Sequence, residues 1–273
     1  MSVAAVLPLR FEGRPAASVV QRAWLATMVL AAAGGLVVVA AADGAARAGA
    51  AVAEPLFWVG VLTIFVPISA RLLLPFTSRE ERIALVAVLG IGLYLVKVFH
   101  SPTAFTFHDE FAHWRNVQNV ISTGHLFQPN PLLPVSADFP GLEAITAAAA
   151  QLSGLPVFVV GVVVIGIARL VAVLAIFLFF ESVSGSARVA GVGAALLYAA
   201  NPGFVFFDAA FSYESLAVPL ALMTLFILAR RVSDRANRWA LSLSALFGIS
   251  AVVVTHHVTS YLLAAFLTMW AIA

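Results

Sequence analysis

The chain contains no cysteine. That excludes disulfides, thiol catalysis and thiolate metal sites, and leaves the redox compartment open. Charge is also scarce: 10% of residues are Asp, Glu, Lys or Arg, against 62% hydrophobic. Soluble globular domains carry roughly a quarter charged residues, so an ordinary soluble domain is excluded. The net charge is only +2, and the arginines stand singly or in pairs at the ends of apolar runs. This distribution gives no basic patch for nucleic acid. The H-E-x-x-H spacing of a zinc protease is missing, and no internal repeat is evident. The N-terminus also lacks a typical signal peptide with a clear processing site. With Arg10, Arg14 and Arg22 ahead of a long apolar run, it reads as a retained first helix.

What is present is a series of long apolar runs. A hydrocarbon core takes about 20 residues of helix to cross. Backbone groups in lipid must be satisfied internally, which leaves helices or a closed barrel. The runs are continuous rather than alternating, against the barrel. The expected class is therefore an all-α polytopic transmembrane protein with a large outer loop carrying short surface helices. Eight spans are expected, at about 23–42, 55–75, 82–99, 156–180, 188–206, 213–230, 238–255 and 258–273. The second is interrupted by Pro67, with Arg71 snorkelling from its end. Arg169 falls inside a span and needs a polar partner or a route to an interface. The turn between the last two spans is very tight.

The arginines set an expected orientation. Arg10, Arg14, Arg22, Arg79, Arg82, Arg188, Arg230, Arg231, Arg235 and Arg238 fall on one side. Arg47, Lys97 and Arg115 fall on the other. The positive-inside bias then places the N-terminus in the cytoplasm of a multi-pass cell-membrane protein. Segments 43–54, 100–155, 201–213 and 255–258 face outward, and the chain's acids and histidines gather there.

The densest cluster is Phe107-His108-Asp109-Glu110-Phe111-Ala112-His113-Trp114-Arg115. Apolar residues at Phe111, Trp114, Val117, Val120 and Ile121 keep one helical face. They predict a short surface helix starting near Asp109, with Trp114 at the headgroup level. His113 lies four residues from Asp109 and three from Glu110, so it neighbours both on a helix. One reading is an N-terminal cap with a solvated polar face. The other is a catalytic or metal-binding cluster. Asp109, Glu110 and His113 are the candidate ligands of a divalent Mg or Mn ion, provided further oxygen ligands join them. Convergence with two later outer segments favours the second reading. Prolines between Gln128 and Pro134 enforce an extended path, and a second short helix starts near Leu142 and ends near Ser153. His125 reads as a loop residue.

In the later segments Asn201-Pro202-Gly203 breaks the helix at the outer boundary, and Asp208, Tyr213, Glu214 and His256-His257 follow. Acids in such apolar surroundings should be paired, open to a cavity or partly protonated. Either acid can also serve as a helix cap. His256 is the preferred member of its pair, because adjacent residues on a helix point apart. Lys97, near the outer end of the third span, and Arg115 are candidate anion contacts, with simple snorkelling the plainer role for Lys97.

A transmembrane helix at 82–99 followed by a large outer loop with an early acidic motif, Phe107-His108-Asp109-Glu110, resembles the GT-C-fold membrane glycosyltransferases. Asn130 to Gly141 and the second short helix resemble the rest of that first loop. The resemblance covers roughly residues 82–273. Residues 1–81 are then an N-terminal cytoplasmic tail with two accessory transmembrane helices. By this resemblance the donor is a polyprenyl-phosphate-linked sugar drawn from the membrane lipids. The acceptor is a glycan, lipid or protein of the cell envelope, on the outer face. The resemblance implies Asp109 as the base toward an acceptor hydroxyl, with Glu110 orienting the acceptor or assisting a metal. His108, His113, Asp208, Glu214 and His256 join Lys97 and Arg115 as substrate-binding candidates. The chain ends on Met269-Trp270-Ala271-Ile272-Ala273 without a polar tail. Transferases of this fold commonly have more helices, so the resemblance leaves three expectations: a fragment with a missing C-terminal part, a compact relative, or one component of an assembly with a partner subunit. The rival expectations are a transporter or lipid flippase, and a noncatalytic subunit of an envelope-assembly complex.

Overall fold

The computed structural model describes residues 19–272. Arg10 and Arg14 lie outside the described residues, as does the side chain of Arg22. Eleven helices follow one another without a strand among the described residues: α1 (Val19–Arg47), α2 (Ala53–Leu73), α3 (Arg79–His100), α4 (His108–Thr123), α5 (Gly141–Ser153), α6 (Val157–Ser184), α7 (Ala187–Val192), α8 (Pro202–Val205), α9 (Tyr213–Ser233), α10 (Arg238–Thr255) and α11 (His257–Ile272). A 3-10 turn spans Pro134–Asp138, and a π-helical stretch spans Gly193–Ala199. Six helices (α1, α2, α3, α6, α9 and α10) are long and apolar enough to cross a membrane. The chain is thus a polytopic helical protein.

Two of the eight expected spans are not among these six. Residues 188–206 do not form one continuous helix. Helix α7 widens into the π stretch and then breaks at Asn201-Pro202, where the Asn201 side chain accepts from the Gly203 N–H at 2.9 Å. Proline lacks the N–H that would continue the helix, and the asparagine caps α8 instead. The last span is a shorter helix of 16 residues. Pro67, by contrast, sits inside α2 without ending it. Nor does Arg71 snorkel: it is buried, with its Nε 2.7 Å from Glu81 Oε1.

One apolar core is built by α1, α2, α3, α6, α7 and the π stretch, around Ile64, Ile68, Leu89, Leu93, Val173 and Phe177. A second lies under the 100–155 segment, where Phe105, Val117, Leu142, Val160, Phe211 and Tyr213 meet. The surface helices rest on this second core. Each is stopped by a glycine in the left-handed region, Gly124 (φ 72°) after α4 and Gly154 (φ 70°) after α5, where a side chain would be strained.

The alternating helices leave two unlike ends. One gathers Asp43, Glu54, Asp109, Glu110, Asp138, Glu143, Asp208 and Glu214, with Arg47, Lys97 and Arg115, and with Arg169 reaching Asp208 from within α6. The other gathers Arg71, Arg79, Arg82, Arg188, Arg230, Arg231, Arg235 and Arg238 against Glu80, Glu81, Glu181 and Asp234. We refer to them as the carboxylate-rich and arginine-rich ends.

Candidate functional site

The start of α4 sets two adjacent carboxylates in opposite environments. Successive helical residues point about 100° apart. Glu110 turns inward and is 2% exposed. Its Oε2 accepts from the backbone N–H groups of Thr106 and Phe107, each at 2.9 Å. Oε1 accepts from the Phe211 N–H at 3.0 Å and lies 3.1 Å from Lys97 Nζ. The ammonium sits 4.6 Å from the Phe107 ring centroid, a cation–π contact. Glu110 therefore ties together α3, the turn before α4 and the strap before α9. Asp109 turns outward, with its side chain 56% exposed.

Asp109 opens into a cleft of about 300 Å³ lined by Phe107, His108, Asp109, Phe206, Phe207, Ala210, Ser212 and Glu214. His108 Nδ1 is 3.7 Å from Asp109 Oδ1. The walls are otherwise aromatic or small, so the two carboxylates face a largely apolar space. Phe206 also lines a neighbouring groove of about 400 Å³. That groove is bounded by Phe57, Trp58, Leu62, Leu93 and Val205 and edged by Asn201. The Phe206 ring, 6.1 Å from Phe57 and 6.4 Å from Phe107, is the wall shared by cleft and groove.

Behind the cleft lies a buried polar network. His113, fully buried, pairs its Nδ1 with Glu143 Oε1 at 2.6 Å. Its Nε2 accepts from the Tyr213 N–H at 3.5 Å, so the Nδ1–H tautomer donating to Glu143 satisfies both nitrogens. Asn116 Nδ2 donates to Ser136 Oγ (2.9 Å) and to Glu143 Oε1 (3.2 Å). Asn130 Nδ2 donates to Asn116 Oδ1 and to the Ala112 carbonyl. The Tyr213 ring lies between His113 (4.5 Å) and His256 (4.2 Å). His256 Nδ1 meets Thr259 Oγ1 at 2.8 Å, and its Nε2 is 4.0 Å from Glu214 Oε2. Burial, with His257 and His113 nearby, pushes the His256 imidazole down to about 4, so it is neutral at physiological pH.

Arg169 finds its partner at the helix break. Its Nη2 donates to the Phe204 carbonyl at 2.9 Å, and its Nη1 is 3.5 Å from Asp208 Oδ2. Burial holds the Asp208 carboxyl above its usual range, and Arg169 offsets only part of that rise. The pair pins the strap carrying Phe206 and Phe207, two of the cleft's walls.

Of the residues singled out from sequence, Asp109, His108 and Glu214 share the cleft. His256 touches it only through Glu214. Glu110 and Lys97 are engaged with each other beneath it, and His113 faces the Glu143 network. Asp208 is held by Arg169, and Arg115 is exposed on α4. The supposed ligand trio of Asp109, Glu110 and His113 does not converge. The three side chains point apart, and no group of three His, Asp or Glu among the described residues is placed to hold a metal ion. Sequence reasoning missed Asn116, Ser136 and Glu143 as the anchors of His113. One signal was available for Asn116, which follows His113 by three residues on the same helical face.

No family model matches the chain, and no curated protein or solved structure matches it either.

Proposed function

We propose that the protein is a membrane glycosyltransferase of GT-C-like architecture. It would move a sugar from a polyprenyl-phosphate donor to a hydroxyl of an envelope glycan, lipid or protein on the outer face. The observation that carries this reading is the split between the two acids. Glu110 is consumed by structure, whereas Asp109 is left accessible in a cleft it shares with Glu214. The groove across Phe206 supports a substrate that arrives on an apolar chain.

In this reaction the Asp109 carboxylate accepts the proton of the acceptor hydroxyl. The oxygen attacks the anomeric carbon. The bond from that carbon to the phosphate oxygen breaks, and the polyprenyl phosphate leaves with the electron pair. Glu214 orients the acceptor from the opposite wall. Arg115, outside the rim, is the accessible cation for the phosphate, and the exposed His108 imidazole at the rim can offer it a hydrogen bond. Lys97 is committed to Glu110. A divalent ion in this site would need oxygen ligands from the substrate, because the described residues supply no three-ligand set.

The test is transfer by the purified chain in lipid vesicles, using a panel of labelled polyprenyl-phosphate sugars and extracted envelope acceptors. Asp109→Asn should lose about 10²–10⁴-fold in rate while keeping the wild-type melting temperature, because the side chain is exposed. Transfer that persists in the variant, or no transfer from any donor, would sink the proposal.

A further inference from the structure

The arginine-rich end carries a second feature, unrelated to the cleft. An apolar groove of about 460 Å³ opens where the end of α2, the end of α6, α7 and the π stretch meet. Leu73, Phe180, Val189, Val192 and Leu196 form its walls, and Arg188 is its one charged lining residue. Its floor depends on a glycine: a Cβ at Gly193 would come within 2.7 Å of the Phe180 ring.

The neighbouring arginines are occupied. Arg71 is paired with Glu81, and Arg79 with Glu181 at 2.6 Å. Arg82 is buried and donates to the carbonyls of Leu72, Leu74 and Thr77. Those carbonyls satisfy its hydrogens but do not neutralise its charge. Arg188 is exposed and has no carboxylate partner among the described residues. The groove therefore joins an apolar slot to an uncompensated cation, at the level where α2 and α6 end.

We infer that this groove binds an anionic phospholipid, with an acyl chain in the apolar slot and the headgroup phosphate on Arg188. Charge complementarity selects the headgroup: an anion neutralises the Arg188 charge, whereas a zwitterion brings no net charge to compensate it. The shape selects a lipid over a free anion, because five of the lining side chains are apolar. The inference stands whether or not the protein transfers sugars.

The experiment uses the full chain in detergent, titrated with phosphatidylglycerol or phosphatidylcholine of identical acyl chains, with retained lipid read by native mass spectrometry. The wild type should retain phosphatidylglycerol about fivefold over phosphatidylcholine, the factor expected of one surface cation. Arg188→Gln should reduce the ratio to near unity without lowering the melting temperature. Val192→Trp, which fills the slot, should reduce retention of both lipids. Arg235→Gln, at the same end but outside the groove, should leave the ratio unchanged. Equal retention by the wild type, a preference that survives Arg188→Gln, or an equal loss in Arg235→Gln would overturn the assignment.

Discussion

At the scale of single residues, the start of α4 shows how one helical step separates chemistry from construction. Glu110 and Lys97 form a buried pair, and Glu110 also accepts three backbone N–H groups. Removing one partner strands the other charge away from water. Glu110→Gln should therefore cost about 3–5 kcal/mol of stability, seen as a lower melting temperature in detergent. Adding Lys97→Met should recover part of that loss, because the double variant buries no lone charge. A double variant as unstable as, or less stable than, the single one would contradict the coupling. The sequence made this cluster conspicuous, since two acids and two histidines crowd nine residues of a charge-poor chain. It did not reveal which acid was buried. The partners that decide it stand 13 and 101 residues away, at Lys97 and Phe211, and periodicity within one helix carries no information about them.

At the scale of elements, helices were legible where composition alone determines them and illegible where packing does. The six long apolar helices follow from run length. Both surface helices were anticipated, the first from its amphipathic spacing. The break at Asn201-Pro202 was legible from its proline, but the π stretch was not: a Cβ at Gly193 would meet the Phe180 ring on another helix, a closeness that local sequence does not show. The same holds where α5 crosses α10. Gly141 lies so close to Thr255 that a Cβ would collide with that side chain and approach its Cα at 3.0 Å. Gly141→Ala should therefore destabilise the protein by about 1–3 kcal/mol. Gly44→Ala, in α1 with nothing within 4 Å of the new carbon, should be neutral or stabilise by about 0.5–1 kcal/mol. Thermal unfolding of the two variants side by side checks this. Equal effects would mean that helix propensity, not the crossing, decides.

At the scale of the whole molecule, the separation of charge does what no single residue can. Carboxylates dominate one end and arginines the other, and a membrane with a cytoplasmic positive bias orients the chain accordingly. The proposed reaction requires the cleft to face outward, and the proposed lipid site requires the Arg188 groove at the leaflet richer in anionic lipid, so both proposals share one topological requirement. The absence of cysteine makes that requirement directly measurable, because any introduced thiol is the only one in the chain. His125 is exposed at the carboxylate-rich end, and Arg235 is exposed in the turn between α9 and α10 at the arginine-rich end. In intact cells, a membrane-impermeant maleimide should label His125→Cys. It should leave Arg235→Cys untouched until the membrane is permeabilised. The reverse pattern would place the cleft in the cytoplasm, where an outer-face acceptor never reaches Asp109, and would move the arginine groove to the leaflet poorer in anionic lipid.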